Sequence, residues 1–342
     1  MLERHRPFWY MEESMSAKPV TVCVDALGGD EPPAVVLEGV ALALESDPDL
    51  SVIVVGTDDV VTPFAASHER CEAVACTQSI SMEEHPLQAI RTKRDSSIVV
   101  GSKLVKSGRA QGFFSAGSTG ACMAAATLLI GRIPGIDRPA LTLALPGKTP
   151  TVLLDVGANA DCKPLNIVQY GHMGCAYARI VVGVDDPRLG LLNIGSEDTK
   201  GSMEAQERFA ALRDSVPEFV GNAEGTDILG DSFDVIVTDG FTGNVALKTL
   251  EGTARFLMSE VNRAAMASAK GKIGGALLSG QLGDLKQRLS GEMYGGAVLL
   301  GVNGVVVIGH GATSPRAVCQ GTLVSANAAR QDLVGRISAA IS

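Results

Sequence analysis

Short β-branched runs alternate along this chain with glycine or small polar turns and longer segments of helical period. No other feature constrains the fold as much, because parallel strands need a crossover of a dozen or more residues and the usual crossover is a helix. Strands are expected at Val20 to Val24, Ser51 to Val55, Ala73 to Cys76, Gly112 to Ser115, Leu141 to Leu145, Val152 to Asp155, Gly190 to Ile194, Asp234 to Thr238 and Gly304 to Ile308. The expected fold class is therefore α/β, a three-layer α/β/α sandwich around a mostly parallel sheet. A chain of 342 residues that is 46% hydrophobic and 20% charged has ample material for such a core, which excludes disorder.

Residues 1–19 lack the apolar run of a signal peptide and read as a flexible extension; the periodic sequence begins just after Met15. Residues 20–342 read as one α/β/α domain. The turn Pro146 to Pro150 is either a boundary or a hairpin inside one continuous sheet. The uncharged stretch Tyr294 to Gly309 covers 16 residues, short of a membrane span, and reads as a buried turn and strand.

A formal net charge of -9 argues against nucleic acid as a partner, since binding phosphodiesters requires a basic surface. The seven cysteines are scattered without a Cys-x-x-Cys pair, as in a reduced chain, and the five histidines share no ligand spacing, so no metal site is expected.

In open sheets of this kind ligands collect beyond the carboxyl ends of the strands. Five places follow: Asp25 to Asp30, Ser115 to Gly120, Asp155 to Lys163, Asp239 to Lys248, and His310. In Ser115-Ala116-Gly117-Ser118-Thr119-Gly120, two glycines and two hydroxyls sit between an apolar strand and the helix expected at Ala121 to Ile130. That arrangement suits an anion cradle at a helix start, and it also suits an ordinary cap. Asp25-Ala26-Leu27-Gly28-Gly29-Asp30 lacks the glycine spacing of a dinucleotide site and reads either as a substrate-positioning loop or as a self-bonded turn.

Asp155 to Lys163 and Asp239 to Asn244 crowd polar groups after buried strands, an expensive composition unless partners are supplied. Lys163, and Lys248 one helical turn beyond Asn244, are either candidates to neutralise a phosphate or an oxyanion or solvated surface lysines, with Asp155 and Asp239 as positioning groups. His310, flanked by glycines, is either catalytic or structural. Cys122 and Cys162 lie beside these loops with no nearby base and read as packing residues.

Arg91, Lys93 and Arg94 form a basic knot, followed by Asp95-Ser96-Ser97 as the cap of a helix expected at Ile98 to Lys106. Residues 245–290 carry a local charge of +4. Ile273, Leu277, Leu278, Leu282, Leu285 and Leu289 recur there at helical spacing, an amphipathic stripe suited to a membrane surface or to a second subunit.

With these loops in hand, the chain resembles the bacterial phosphate acyltransferase family (acyl-ACP:phosphate acyltransferase, PlsX). The runs that carry the resemblance begin with Val24 to Asp30, Lys93 to Ser97, Ser115 to Gly120 and Gly131-Arg132-Ile133-Pro134-Gly135-Ile136-Asp137-Arg138-Pro139. They continue with Leu154 to Asn159, Leu191 to Gly195, Gly221 to Gly225, Asp239 to Val245 and Tyr294 to Ala297, in the family's order over roughly residues 20 to 335. Departures are Leu27 for a usual methionine, Pro32 for alanine and Ser118 for asparagine. The last falls in the proposed anion loop.

The resemblance implies a fold similar to phosphotransacetylases and isocitrate-dehydrogenase-like enzymes, a homodimer, and a cytoplasmic location with peripheral attachment to the membrane. It also implies transfer of a fatty acyl group from acyl carrier protein to orthophosphate, which needs no cofactor. Gly117, Ser118, Thr119 and Gly120 would bind phosphate, and Lys163 or Lys248 would add charge. Asn159 and Asn244 would orient reactants, His310 would polarise the carbonyl or protonate the leaving thiolate, and either Arg91, Lys93 and Arg94 or the 245–290 segment would dock the acidic carrier protein. A short-chain CoA-dependent phosphotransacetylase and a non-catalytic membrane scaffold are the alternatives. The functional reading expects the mouths of the strands to converge on one shared cavity.

Overall fold

The computed structural model describes residues 18–147, 150–289 and 295–341, the side chains of 284 and 286–289 excepted. The amino-terminal extension up to residue 17, the tip of the turn after β5, Tyr294 and the Leu289 side chain lie outside the described residues.

The first strands are β1 (Val20–Asp25), β2 (Leu50–Gly56), β3 (Cys71–Ala75) and β4 (Gly112–Ser115). They alternate with α1 (Ala34–Ser46), α2 (Asp58–Ala66), α3 (Pro86–Thr92) and α4 (Ser97–Lys106). Next come α5 (Thr119–Ala125), which runs on through a π-type turn to Ile130, and the antiparallel pair β5 (Ala140–Leu145) and β6 (Thr151–Leu154). The remaining strands are β7 (Leu189–Leu192), β8 (Phe219–Ala223), β9 (Val235–Val237), β10 (Ala297–Leu300) and β11 (Val305–Ile308). The remaining helices are α6 (Pro164–Tyr177), α7 (Met203–Ser215), α8 (Gly240–Met266), α9 (Ala269–Leu277), α10 (Ser279–Leu289), α11 (Pro315–Arg330) and α12 (Leu333–Ile341).

The strands form one sheet in the order β3-β2-β1-β4-β11-β10-β5-β6-β9-β7-β8. Both faces are buried: Val22 and Val24 of β1 pack into one core, while Cys23 packs into the other. Covered on both sides, the strands read as near-continuous apolar runs. The three-layer sandwich expected from the periodicity is thus the observed one, and Pro146 to Pro150 joins two strands of the same sheet.

Two strands escaped the sequence pattern. In β8, Gly221 and Asn222 interrupt the β-branched run, and β10 begins directly after Gly295 and Gly296 inside the stretch read as one turn and one strand.

Strand direction matters most for the site. The β3-β2-β1-β4-β11 strands are parallel to one another, and so are β6-β9-β7-β8. Between the two groups lie three antiparallel junctions, β11 with β10, β10 with β5 and β5 with β6. An odd number of reversals leaves the two groups running in opposite directions. Their carboxyl ends therefore open on opposite edges of the sheet.

Candidate active site

The first edge gathers the ends of β1, β4 and β11. Asp25, at the end of β1, is fully buried; its Oδ1 accepts from the Leu27 N–H at 3.0 Å and its Oδ2 from Ser115 Oγ at 2.7 Å. Ser115 Oγ in turn accepts the Gly117 N–H at 3.0 Å. The two loops touch through Gly28, where an added Cβ would stand 2.7 Å from the Gly117 nitrogen, and Gly29 takes a positive φ of 103°. The third loop is sewn in by the Asp30 N–H on the Gly311 carbonyl at 2.8 Å and the Gly309 N–H on the Ser115 carbonyl at 2.8 Å.

Burial pushes the Asp25 carboxyl above its ordinary range, while hydrogen bonds from Ser97 and Ser115 oppose that shift. Ser118 caps α5 by accepting the Ala121 N–H at 3.4 Å, and the N–H groups of Thr119 and Gly120 are left without an intrahelical carbonyl. Exposed His310 accepts the Ala312 N–H on Nδ1 at 3.1 Å, which in the neutral ring assigns the proton to Nε2. Cys122 beneath this edge is buried, with its thiol pushed up to about 12.

The second edge gathers the ends of β6 and β9. Asp155 is fully buried and collects five donors: Leu141 N (3.1 Å), Gly157 N (3.0 Å) and Ala158 N (2.8 Å) on Oδ1, and Asn159 N (2.8 Å) and Nδ2 (2.9 Å) on Oδ2. Burial still pushes its carboxyl up. Asn159 Nδ2 also reaches the Pro139 carbonyl at 2.7 Å and the Tyr170 hydroxyl at 2.9 Å, so its amide hydrogens are spent on the fold.

Asp239 caps α8 through the Thr242 N–H (2.8 Å) and pairs with Arg208 Nη1 at 2.9 Å. Burial raises the Asp239 carboxyl, but Thr242 and Arg208 outweigh it and hold the group below its ordinary range. The α8 start is pressed so tightly on the β6 loop that a Cβ on Gly243 would stand 1.9 Å from the Asp155 carbonyl oxygen.

Several expected roles change in this geometry. Asn244 Nδ2 donates to the Val156 carbonyl at 3.3 Å. Lys248 is exposed on α8 and pairs with Glu251 at 2.9 Å. Lys163 begins α6, its N–H on Asn166 Oδ1 at 2.9 Å and its side chain exposed. Asp95 does not cap α4; its carboxylate accepts from Thr77 N (2.9 Å) and Oγ1 (2.6 Å). Lys93 is tied to Glu84 at 2.7 Å.

The structure thus brings Asp25, Gly28, Gly29, Asp30, Gly117, Ser118, Thr119, Gly120 and His310 together at one edge. It sets Asp155, Asn159, Lys163, Asp239, Asn244 and Lys248 at the other. A single mouth shared by Thr119, Asn159, Asn244 and Lys248 is not formed within this chain, because the antiparallel junctions separate them. Sequence reasoning left Tyr170 and Arg208 without roles and read Ser97 only as part of a helix cap, not as a partner of Asp25. Ser115 stood in a quoted run, whereas Arg208 lies mid-helix with no strand-end signal.

The fold is that of the phosphotransacetylases. A phosphotransacetylase from Streptococcus pyogenes superposes with a TM-score of 0.61 over 91% of this chain and 94% of that one, at 17% identity. EutD phosphotransacetylase from Staphylococcus aureus gives 0.59 over 92% and 95%, also at 17% identity.

At the level of sequence the chain belongs to the phosphate acyltransferase (PlsX) family. The profile of the fatty acid synthesis protein family matches residues 20–336. The chain is 44% identical to a phosphate acyltransferase of Acidobacterium capsulatum, over 89% of this chain and 92% of that protein. It is 41% identical to one from Geobacillus sp. strain WCH70, over 94% and 98%. The protein is accordingly an acyltransferase.

Proposed function

We propose that the protein moves a long-chain fatty acyl group from acyl carrier protein to orthophosphate, giving an acyl phosphate for phospholipid synthesis. The observation that carries this reading is the first edge, where Ser118, Thr119 and the start of α5 offer hydroxyls and backbone N–H groups, held in place from below by the Asp25–Ser115 pair. The names of the relatives supply phosphate as the acceptor.

Orthophosphate near neutral pH is already nucleophilic, so the site has to hold it against the thioester carbonyl and stabilise the tetrahedral oxyanion. A phosphate oxygen bonds to the carbonyl carbon, the C–S bond breaks, and the thiolate leaves with a proton. In this reading Gly117 to Gly120 bind phosphate, Asp25 to Asp30 shape the loop, the His310 Nε2–H donates a hydrogen bond that polarises the carbonyl, and the thiolate takes up the proton that hydrogen phosphate gives up. Asp155, Asn159, Asn244 and Asp239 then hold α8 to the sheet, and Lys163 and Lys248 stand outside the phosphate pocket of the same chain.

The second element is peripheral contact with the cytoplasmic face of the membrane. Among the described residues no helix is long and apolar enough to cross a bilayer. Along α8 to α10, Ile273 is 64% and Leu277 76% exposed, on a segment rich in lysine and arginine. A homodimer would use part of the same surface, beginning with Phe256 and Leu257 on α8.

The test is release of free carrier protein from acyl carrier proteins of graded chain length, with and without orthophosphate. Release that requires orthophosphate and favours long chains supports the reading. Equal turnover of acetyl-CoA would favour a short-chain phosphotransacetylase, and binding without release a scaffold. For the membrane element, Ile273→Glu with Leu277→Glu should abolish flotation with anionic vesicles.

A further inference from the structure

The segment between β3 and α4 lies against the first edge and carries a surface that the fold leaves uncovered. Met82 is 49% and Leu87 45% exposed. Leu87 and Arg91 stand four residues apart on α3 and share a face. Arg91 and Arg94 are exposed and form no ion pair among the described residues, and Arg94 Nε rests on the Arg91 carbonyl at 3.3 Å. Lys103 Nζ reaches the Arg94 carbonyl at 3.0 Å, adding a third cation.

Of the carboxylates around it, Glu84 is tied to Lys93 and Asp95 to Thr77, with Lys103 also drawing the Asp95 carboxyl down, while exposed Glu83 adjoins Met82 and Asp30 borders Gly311 beside it. The patch adjoins the phosphate loops, since a Cβ on Gly311 would stand 3.2 Å from Met82 Cε and one on Gly120 2.6 Å from Pro86 Cγ. In a chain of net charge -9, two apolar side chains flanked by Arg91, Arg94 and Lys103 beside an acyl-transfer site suit an acidic protein that delivers its cargo there.

We propose that Met82, Leu87, Arg91 and Arg94 form the docking surface for the acidic carrier protein, with Lys93 serving the fold instead. The inference rests on the reading that a carrier protein is the acyl donor. Charge at the rim sets the encounter and the apolar pair sets the contact, so both parts should appear in KM for the carrier substrate and be absent with a small thioester.

The experiment compares palmitoyl carrier protein with palmitoyl-CoA at saturating orthophosphate. Arg91→Glu combined with Arg94→Glu, and separately Leu87→Glu, should raise KM for palmitoyl carrier protein at least tenfold, leaving kcat and palmitoyl-CoA turnover within twofold. Arg213→Glu, a charge reversal on exposed α7, should move neither. Unchanged KM in both variants, with the wild type preferring the carrier substrate, overturns the docking surface. Equal loss with both donors also overturns it, because the residues would then serve the fold or the chemistry. A wild type with no preference for the carrier substrate overturns the donor reading, and the docking surface falls with it.

Discussion

Ser115 Oγ donates a 2.7 Å hydrogen bond to Asp25 Oδ2, and both side chains are sealed from solvent. The same hydroxyl accepts the Gly117 N–H, so one serine ties the end of β1 to the loop that opens α5. Ser115→Ala leaves a buried carboxylate short of a donor, at a cost of about 1–3 kcal/mol. Urea unfolding should show that loss, and phosphate-saturation kinetics should show a KM for orthophosphate raised by about tenfold, equivalent to about 1.4 kcal/mol. Wild-type values in both assays would remove the pair from the account of the site.

Asp25 also predicts a pH dependence. Its carboxyl is raised in the folded state by burial. Between its unfolded and folded pKa the native chain binds the extra proton, so stability falls as pH rises through that interval. Asp25→Asn cannot titrate. From about pH 4 upward the wild type should lose ground to the variant, as measured by urea midpoints across that range. A difference that stays constant with pH would contradict the shift.

Arg208→Met should cost roughly 2–3 kcal/mol, less than a fully buried pair would, because Arg208 and Asp239 are each 14% exposed. Asp239 is held below its ordinary range, so its contribution is present above the unfolded carboxylate pKa and is lost as pH falls through the folded one. Acid titration of stability should therefore be shallower in the variant. Equal slopes would show that Arg208 does not set the Asp239 charge.

Two glycines of α8 should respond in opposite ways to alanine. At Gly243 the new Cβ meets the Asp155 carbonyl oxygen at 1.9 Å, and backbone has to move, costing more than about 2 kcal/mol. At Gly252 nothing lies within 4 Å, and alanine should stabilise the helix by about 0.5–1 kcal/mol. Thermal denaturation of the two variants checks the pair; a tolerated Gly243→Ala would mean α8 is not pressed on the β6 loop.

Cys122 should carry no acyl group. A thiol raised to about 12 by burial is almost wholly protonated at neutral pH and a poor nucleophile. Denatured protein should retain no radioactive label after mixing with labelled acyl carrier protein, and Cys122→Ala should keep kcat within about threefold. A stable adduct would require a covalent intermediate.

The sandwich and its polar strand ends were legible because both come from local patterns. Period-2 and period-3.6 repeats reveal which segments pair and which cover them; Asp25, Ser115 and Asp155 each follow an apolar run directly, and Asp239 follows one after Thr238. The loop at Asp155 was correctly read as demanding partners, since a buried carboxylate needs donors. The partners themselves, Leu141 and Asn159, come from two different segments of chain.

What only the tertiary structure decided is which strand ends face one another. A strand reads the same locally whichever way its neighbour runs, so the antiparallel junctions around β10 and β5, strands more than 150 residues apart in the chain, leave no trace in either segment's periodicity. Those pairings turn half of the sheet around, divide the polar loops between two edges, and place mid-helix Arg208 beside Asp239. Local chemistry is written residue by residue along the chain, but the direction of a strand relative to a distant partner is set only when the whole core closes.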